Sequence, residues 1–345
     1  MTGVAQARSV HAAPVTTCYL CGSPGRPLHA DLRDDLFGVP GLWSVLRCTR
    51  CELVWTHPRP RSEEIHKLYE RYYTHSPFPD AHAKPLPRMG SVAEDPALPQ
   101  DPDEEGEDGG GAGFAGLLKR GLRRLGPFRE RAAGVTLWLD ASQRGRLLDV
   151  GCGNGRFLAR MRDAGWDVHG VEPDPVAAET ARGFFGLQVT CAPLQHAALP
   201  EETFDVITLS HVVEHVYDPI GLLIECARLL KPDGQLVVVT PNSGSLGRRW
   251  FGRWWRGWEV PRHLFIFSPR TLQACAERSG LRVDEIRTTA RSARPIWEES
   301  RQLRLARSNE VWVRPRSIAF WFVEHLLSKA APCGEEILMI AGPLP

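Results

Sequence analysis

Net charge is what this chain has least of: 42 lysines and arginines stand against 41 aspartates and glutamates, a formal balance of +1. With no global field, the chain as a whole does not attract nucleic acid or an anionic membrane, and nucleic acid is not the expected partner. Long apolar runs are missing too. No stretch reaches the roughly 18 residues that read as a membrane-spanning helix, and residues 1–14 lack the apolar centre of a secretory signal. A cytoplasmic protein is therefore expected, in which the nine cysteines stay reduced or hold metal and do not pair as disulfides. Hydrophobic residues still make up 43% of the 345, enough for packed cores in about two domains.

Against this even background one segment stands out. Leu147-Leu148-Asp149-Val150-Gly151-Cys152-Gly153-Asn154-Gly155 is an apolar strand closed by an acid and followed by glycines at every second position. A strand that turns at once into a helix, here 156–164, needs residues without a Cβ if a ligand is to lie against the main chain. A nucleotide-like cofactor is expected there. A dinucleotide turn would carry its third glycine where Arg156 stands, and a phosphate loop would carry Gly-Lys-Ser/Thr, which is absent. A second strand, 167–171, runs into Glu172, about 20 residues past the turn, where ribose hydroxyls are held in such sheets.

Strands at 147–150, 168–171, 188–190, 206–209 and 236–239 alternate with helices at 156–164, 175–184 and 220–230. That alternation predicts an α/β doubly wound, mostly parallel sheet with helices on both faces and ligands beyond the carboxyl ends of its strands. A helix over 271–279, closed by Gly280, and a last strand over 336–341 follow.

Taken together, these motifs resemble the class I S-adenosylmethionine-dependent methyltransferases, over roughly residues 140–290. The resemblance implies a seven-stranded Rossmann-like sheet whose last strand lies antiparallel beside the fifth, and S-adenosylmethionine as cofactor. It implies that Gly151, Gly153 and Gly155, with Cys152 and Asn154 between them, admit the methionine part of the donor to the main chain. Asp149 would act near the donor's amino group, Glu172 would take the ribose hydroxyls, and Ser210, after the fourth strand, would be among the cofactor-binding residues. Relatives commonly place an acid near the adenine; Thr190-Cys191-Ala192-Pro193-Leu194-Gln195 has none, so adenine would rest on main-chain groups and Gln195.

Four of the cysteines form two matched pairs, Cys18-x-x-Cys21 and Cys48-x-x-Cys51, the spacing of a zinc ribbon whose four thiolates leave no open coordination position. A structural zinc is the expectation. The resulting division is a disordered terminus at 1–15, a ribbon-like domain with a helical arm at 16–75, an acidic Pro/Gly linker at 76–113 and the methyltransferase domain at 114–345. Residues 114–140 begin that domain with a basic amphipathic stretch, read as a packed helix with a solvated face.

Candidate chemistry follows the fourth strand, where His211, Glu214 and His215 would share one face of a helix at the mouth of the cleft. The Glu-His pair is similar to a Leu-Glu-His signature of ubiquinone-pathway O-methyltransferases, some of which carry a divalent metal there. His211 in the first position suits zinc, iron or manganese better than magnesium; a hydrogen-bond network is the equal alternative. Between 243 and 267, Trp250, Phe251, Trp254, Trp255 and Trp258 alternate with Arg248, Arg249, Arg253 and Arg256, an aromatic-basic lid expected to stand outside the core. Trp258-x-x-Pro261-Arg262-His263 ends it, with His263 read as a substrate-facing base or as the pin of the lid. Aromatic residues over 318–327 would complete the cleft or a homodimer surface. The expected activity is methyl transfer to oxygen, or to carbon or nitrogen, of a small-molecule acceptor such as a sugar or secondary metabolite; an RNA or protein methyltransferase and a silent binding module are the alternatives.

Overall fold

The computed structural model describes residues 10–69, 126–139, 144–307 and 317–344. The acidic linker, residues 1–9 and the basic stretch up to residue 125 lie outside these.

The first described region holds five short strands, β1 (Ala12–Ala13), β2 (Gly25–Leu32), β3 (Trp43–Cys48), β4 (Val54–His57) and β5 (Arg59–Pro60). A 3₁₀ helix over Ser62–Leu68 follows where the sequence predicts the helical arm, and the described part of the arm ends at Tyr69. Helix α1 (Gly126–Val135) precedes the alternating region: β6 (Arg146–Val150), α2 (Arg156–Asp163), β7 (Asp167–Val171), α3 (Pro175–Phe185), β8 (Val189–Thr190), β9 (Phe204–Ser210), α4 (Pro219–Leu229) and β10 (Leu230–Pro241). Then come α5 (Leu246–Phe251), β11 (Phe265–Ile266), α6 (Pro269–Arg278), β12 (Leu281–Thr289), α7 (Ala293–Arg307), α8 (Ser317–Ser328) and β13 (Glu336–Pro343).

Seven strands make the main sheet in the order β12-β13-β10-β9-β6-β7-β8. The pairs β6 with β7, β6 with β9, β7 with β8 and β9 with β10 are parallel, while β13 runs antiparallel between β10 and β12. Leu147, Leu148, Ile207, Leu209, Val237 and Val238 are fully or almost fully buried, as strands covered on both faces must be. Each helix start carries its signal. Asp174 and Asp218 cap α3 and α4 ahead of a proline in the first turn, and Ser268 with Thr271 closes a capping box on α6. Strand β12 and helix α7 complete the sheet and its cover; neither was expected from the sequence.

Two features differ from expectation. The aromatics of 243–267 are core, not an exterior lid: Phe251, Trp255 and Trp258 are buried with Trp43, Val45 and Val54 of the ribbon and with Trp297 and Trp321 of α7 and α8. The reason is apolar area. Large rings recover far more by packing on the ribbon's sheet than by waiting in water for a ligand. Trp250, at 46% exposed, is the one that stays outside. Second, β11 adds to the ribbon: the four-stranded sheet runs β11-β4-β3-β2, with Phe265 opposite Trp55 and Ile266 opposite Val54. Two residues later Phe267 bridges to Asn242, just past β10. One short segment therefore laces both sheets together, and Cys18, Leu20, Leu46, Leu53 and Trp55 share a single buried cluster with Leu148, Val150 and Ile207. No helix among the described residues is long and apolar enough to cross a membrane.

Candidate functional site

The glycine turn leaves β6 with its three glycines in the left-handed region, φ +71° at Gly151, +54° at Gly153 and +82° at Gly155. Only glycine adopts that run without strain. Space is the second requirement at Gly155, where an added Cβ would lie 2.6 Å from Leu187 Cδ1 and 2.8 Å from Ala181 Cβ. Glu172, at the end of β7, fixes the turn from the side: Oε2 accepts from Gly153 N at 2.8 Å and Oε1 from Asp174 N at 2.9 Å. Asn154 Oδ1 accepts from Arg156 N at 3.3 Å. The Cys152 side chain is buried against Gly170, so only its main chain can meet a ligand. Gln195 sits exposed in a 3₁₀ turn after β8.

Asp149 is buried at the end of β6 and accepts from Thr208 Oγ1 at 2.6 Å. Burial pushes its carboxyl up to about 7, against the opposing pull of the Thr208 hydrogen bond. It lines a cavity of about 310 Å³ together with Ser210, Phe157, Arg160, Arg291 and Ser292, under Gly134, Val135 and Leu137 of the α1 region. This cavity lies beyond the carboxyl ends of β6 and β9, where ligands of parallel sheets are found.

Residues 211–216 form a turn and not the expected helix. His211 takes φ +56° and donates its main-chain N–H to Val239 O at 2.8 Å, which folds the chain back across β10 and stops a helix from starting. The expected trio is accordingly split. His211 Nε2 meets Glu336 Oε1 at 2.8 Å and its Nδ1 meets Glu214 Oε1 at 3.2 Å. Burial pulls the His211 pKa down, but Glu214 and Glu336 outweigh it and raise it to about 10. Arg291 and Ser292 also hold Glu336, so this network stands directly behind the cavity wall.

Glu214, His215 and His263 converge instead, their ligating atoms within 4.8 Å of one another, and His211 is not among them. Both Glu214 oxygens are already engaged, by Thr240 Oγ1 at 2.9 Å and by His211. His215 Nδ1 lies 3.0 Å from Tyr69 Oη and 3.2 Å from Arg262 O, and His263 Nδ1 lies 2.8 Å from Gly257 O. Burial lowers His263 to about 4 against the attraction of Glu259, so it is neutral near pH 7. A metal here would have to share a carboxylate that protein donors already occupy. His263, His215 and Glu214 are not in the lining of the Asp149 cavity.

Behind His263 sits a group the sequence did not announce. Arg262 is fully buried, with Nη1 and Nη2 on the two Asp34 oxygens at 2.8 and 3.0 Å, Nε on Glu259 at 3.0 Å, and Phe37 4.2 Å below its plane. Asp34 belongs to the β2–β3 loop of the ribbon, so an ion pair couples the ribbon to the segment that carries His263. Missed for the same reason were Arg160, Arg291 and Glu336, whose neighbours come from distant segments; only Arg160 leaves a local sign, three residues after Phe157 on one face of α2.

The four ribbon cysteines gather as expected. Cys18 and Cys51 sulfurs lie 3.4 Å apart, as do those of Cys21 and Cys48, and all four fall within 4.8 Å. Each pair is a tight knuckle followed by a left-handed residue, Gly22 at φ +69° and Glu52 at φ +69°. Arg50 N and Cys51 N donate to Cys48 Sγ at 3.3 and 3.4 Å. Four sulfurs closing on one point suit tetrahedral zinc.

Residues 116–286 match the sequence family described as "Methyltransferase domain". Together with the sheet order and the glycine turn, this identifies that part of the chain as a class I S-adenosylmethionine-dependent methyltransferase domain. Among curated proteins the chain is similar to the ubiquinone biosynthesis O-methyltransferase of Cereibacter sphaeroides, 35% identical over 121 residues that cover 32% of this chain and 49% of that protein. The Klebsiella pneumoniae protein of the same name is 34% identical over 154 residues, 43% of this chain and 57% of its own. The chain thus spans about half the length of the curated relatives it matches. Among solved structures, a SAM dependent methyltransferase from Archaeoglobus fulgidus aligns with TM-score 0.42 and 21% identity, over 66% of this chain and 99% of that one.

Proposed function

We propose that the chain binds S-adenosylmethionine over the glycine turn and transfers its methyl group to a small-molecule acceptor, at oxygen in the first instance and at carbon or nitrogen otherwise. The observation that carries this reading is the left-handed run Gly151, Gly153, Gly155, hydrogen-bonded through Gly153 N to Glu172 at the ends of two adjacent parallel strands. The bound donor supplies a sulfonium methyl already activated for in-line displacement. What the chain must do is seat the donor, align the acceptor and keep water out. We assign Glu172, at the end of β7 beside the glycine turn, to the ribose hydroxyls; Asp149 faces the cavity as a partner for an ammonium, and Ser210 lines its wall. The two named relatives, O-methyltransferases by title, favour oxygen. A saccharide or secondary-metabolite acceptor is the class we would screen first.

Calorimetric titration of S-adenosylhomocysteine tests the donor site. Micromolar-range binding is expected for the wild type, with Gly153→Val and Glu172→Ala weakened by about tenfold or more; a folded wild type that binds neither donor nor product overturns the reading in favour of a silent module. Labelled-methyl incorporation into a metabolite extract, compared with RNA and protein fractions, decides the acceptor class. Transfer to RNA that falls steeply with salt would move the reading to a nucleic-acid substrate.

His263 has two assignable roles, and one variant separates them. If it takes the acceptor's proton, His263→Gln lowers turnover by about 10² to 10⁴ with donor affinity unchanged. If it pins the 256–263 segment, the same variant lowers stability and spares turnover at low temperature. The ribbon we assign to one structural zinc at Cys18, Cys21, Cys48 and Cys51, to be counted by metal analysis.

A further inference from the structure

The Asp149 cavity carries charge of both signs, and the two signs are in different states. Asp149 is held by Thr208. Arg291, the second cation at the wall, is fully used: Nε and Nη2 donate to the two Glu336 oxygens at 3.1 Å each, and Nη1 to Gly134 O at 2.9 Å. Arg160 differs. Its Nε is buried and has no hydrogen-bond partner among the described residues, and no carboxylate there pairs with its guanidinium. A guanidinium cannot shed its proton to escape this, and its flat fork of donors matches the two oxygens of a carboxylate. Arg160 stands one turn along α2 from Phe157, on the helix that the glycine turn launches, so its position is fixed by the same structure that would fix the donor.

We propose that Arg160 anchors a carboxylate that enters this cavity, with Asp149 there for a cationic group beside it. Resting on the donor reading above, the proposal allows that anion two sources: the amino-acid end of the donor itself, which brings ammonium and carboxylate together, or an acidic acceptor. A zwitterion fits both signs of charge at once; an acidic acceptor uses Arg160 alone.

Calorimetry on the full chain with three probes separates these. S-adenosylhomocysteine carries the amino-acid end, methylthioadenosine has the same nucleoside without it, and benzoate is titrated into the S-adenosylhomocysteine complex as an acidic acceptor surrogate. If the donor's carboxylate is the partner, Arg160→Gln weakens S-adenosylhomocysteine by about tenfold or more and leaves methylthioadenosine unchanged, with Arg160→Lys between. If an acidic acceptor is the partner, both nucleosides bind as before and only the benzoate signal is lost. An Arg160→Gln protein that melts like the wild type and alters none of the three, or weakens both nucleosides equally, overturns the proposal. Failure of the donor reading shows instead in the wild type, as absence of binding to either nucleoside.

Discussion

The glycine turn and the 256–263 segment flank the same sheet and are built in opposite ways. At the turn, nearly everything is main chain: three left-handed glycines, N–H groups and one carboxylate from the next strand. At the segment, side chains dominate. Arg262 and Glu259 are buried and paired, Arg262 reaches Asp34 of the ribbon, and the buried His263 ring packs against that of His215. A main-chain site needs only local conformation and tolerates change in what surrounds it. A buried ionic site depends on every partner, because each missing one strands a charge in low dielectric.

The largest effect should come from the ribbon. Cys48→Ser, or a strong chelator, should remove the zinc we assign to the four cysteines, and because β4 pairs with β11 the loss should spread to the 256–263 segment. Binding energies of structural zinc, about 10 kcal/mol or more, make this enough to unfold the ribbon. Tryptophan fluorescence and limited proteolysis at 252–263 would follow it; a chelated protein with unchanged emission and cleavage would show the two parts to be independent.

Next is Arg262→Met, which leaves Asp34 buried without its cation and Glu259 with Arg256 alone, and should cost about 3–5 kcal/mol in denaturant unfolding. Adding Asp34→Asn should recover part of that loss, the signature of a coupled pair. If the single variant unfolds like the wild type, the ion pair is not what joins ribbon to segment.

Gly155→Val should be milder. A left-handed φ and contacts under 3 Å from an added Cβ together predict about 2–4 kcal/mol. Donor binding should fall as well, whereas Arg262→Met should leave it nearly intact at a temperature where both proteins are folded. Equal losses of donor affinity in the two would erase the contrast between the regions.

The smallest effect is electrostatic. His211 is raised to about 10 in the folded protein, above its ordinary value near 6.5, so its stabilisation is complete below about pH 6.5 and is lost as pH climbs towards 10. The ring is about a third exposed, which screens the effect. His263 shifts the other way, to about 4, and its share is present above about pH 6.5 and lost as pH falls towards 4. Thermal melts across pH should show His211→Gln flattening the alkaline limb and His263→Gln the acid limb; the reverse assignment would refute the burial pattern described here.

Much of the sheet could be read before any coordinates. The helices expected at 156–164, 175–184, 220–230 and 271–279 fall within one or two residues of the observed ones, since caps, prolines and apolar period are local signals. Strand β12 was missed because its exposed residues, Arg282, Asp284 and Glu285, interrupt the apolar pattern of an outer strand. The helix expected over 211–216 gave way to a turn because His211 bonds across to Val239, a contact no spacing reveals. The tryptophans of 250–258 read as a lid since composition alone does not say which surface covers them.

What the sequence determined by itself is the cofactor turn, the sheet that presents it and the two cysteine knuckles, each made of residues close in the chain and constrained by backbone geometry. What only the tertiary structure decided is the company of the buried charges: Asp34 with Arg262, Glu336 with His211 and Arg291, and Arg160 with its Nε unpartnered among the described residues. The physical reason is range. Backbone conformation is set within a few residues, whereas the energy of a buried charge depends on which groups, distant in the chain, are folded against it.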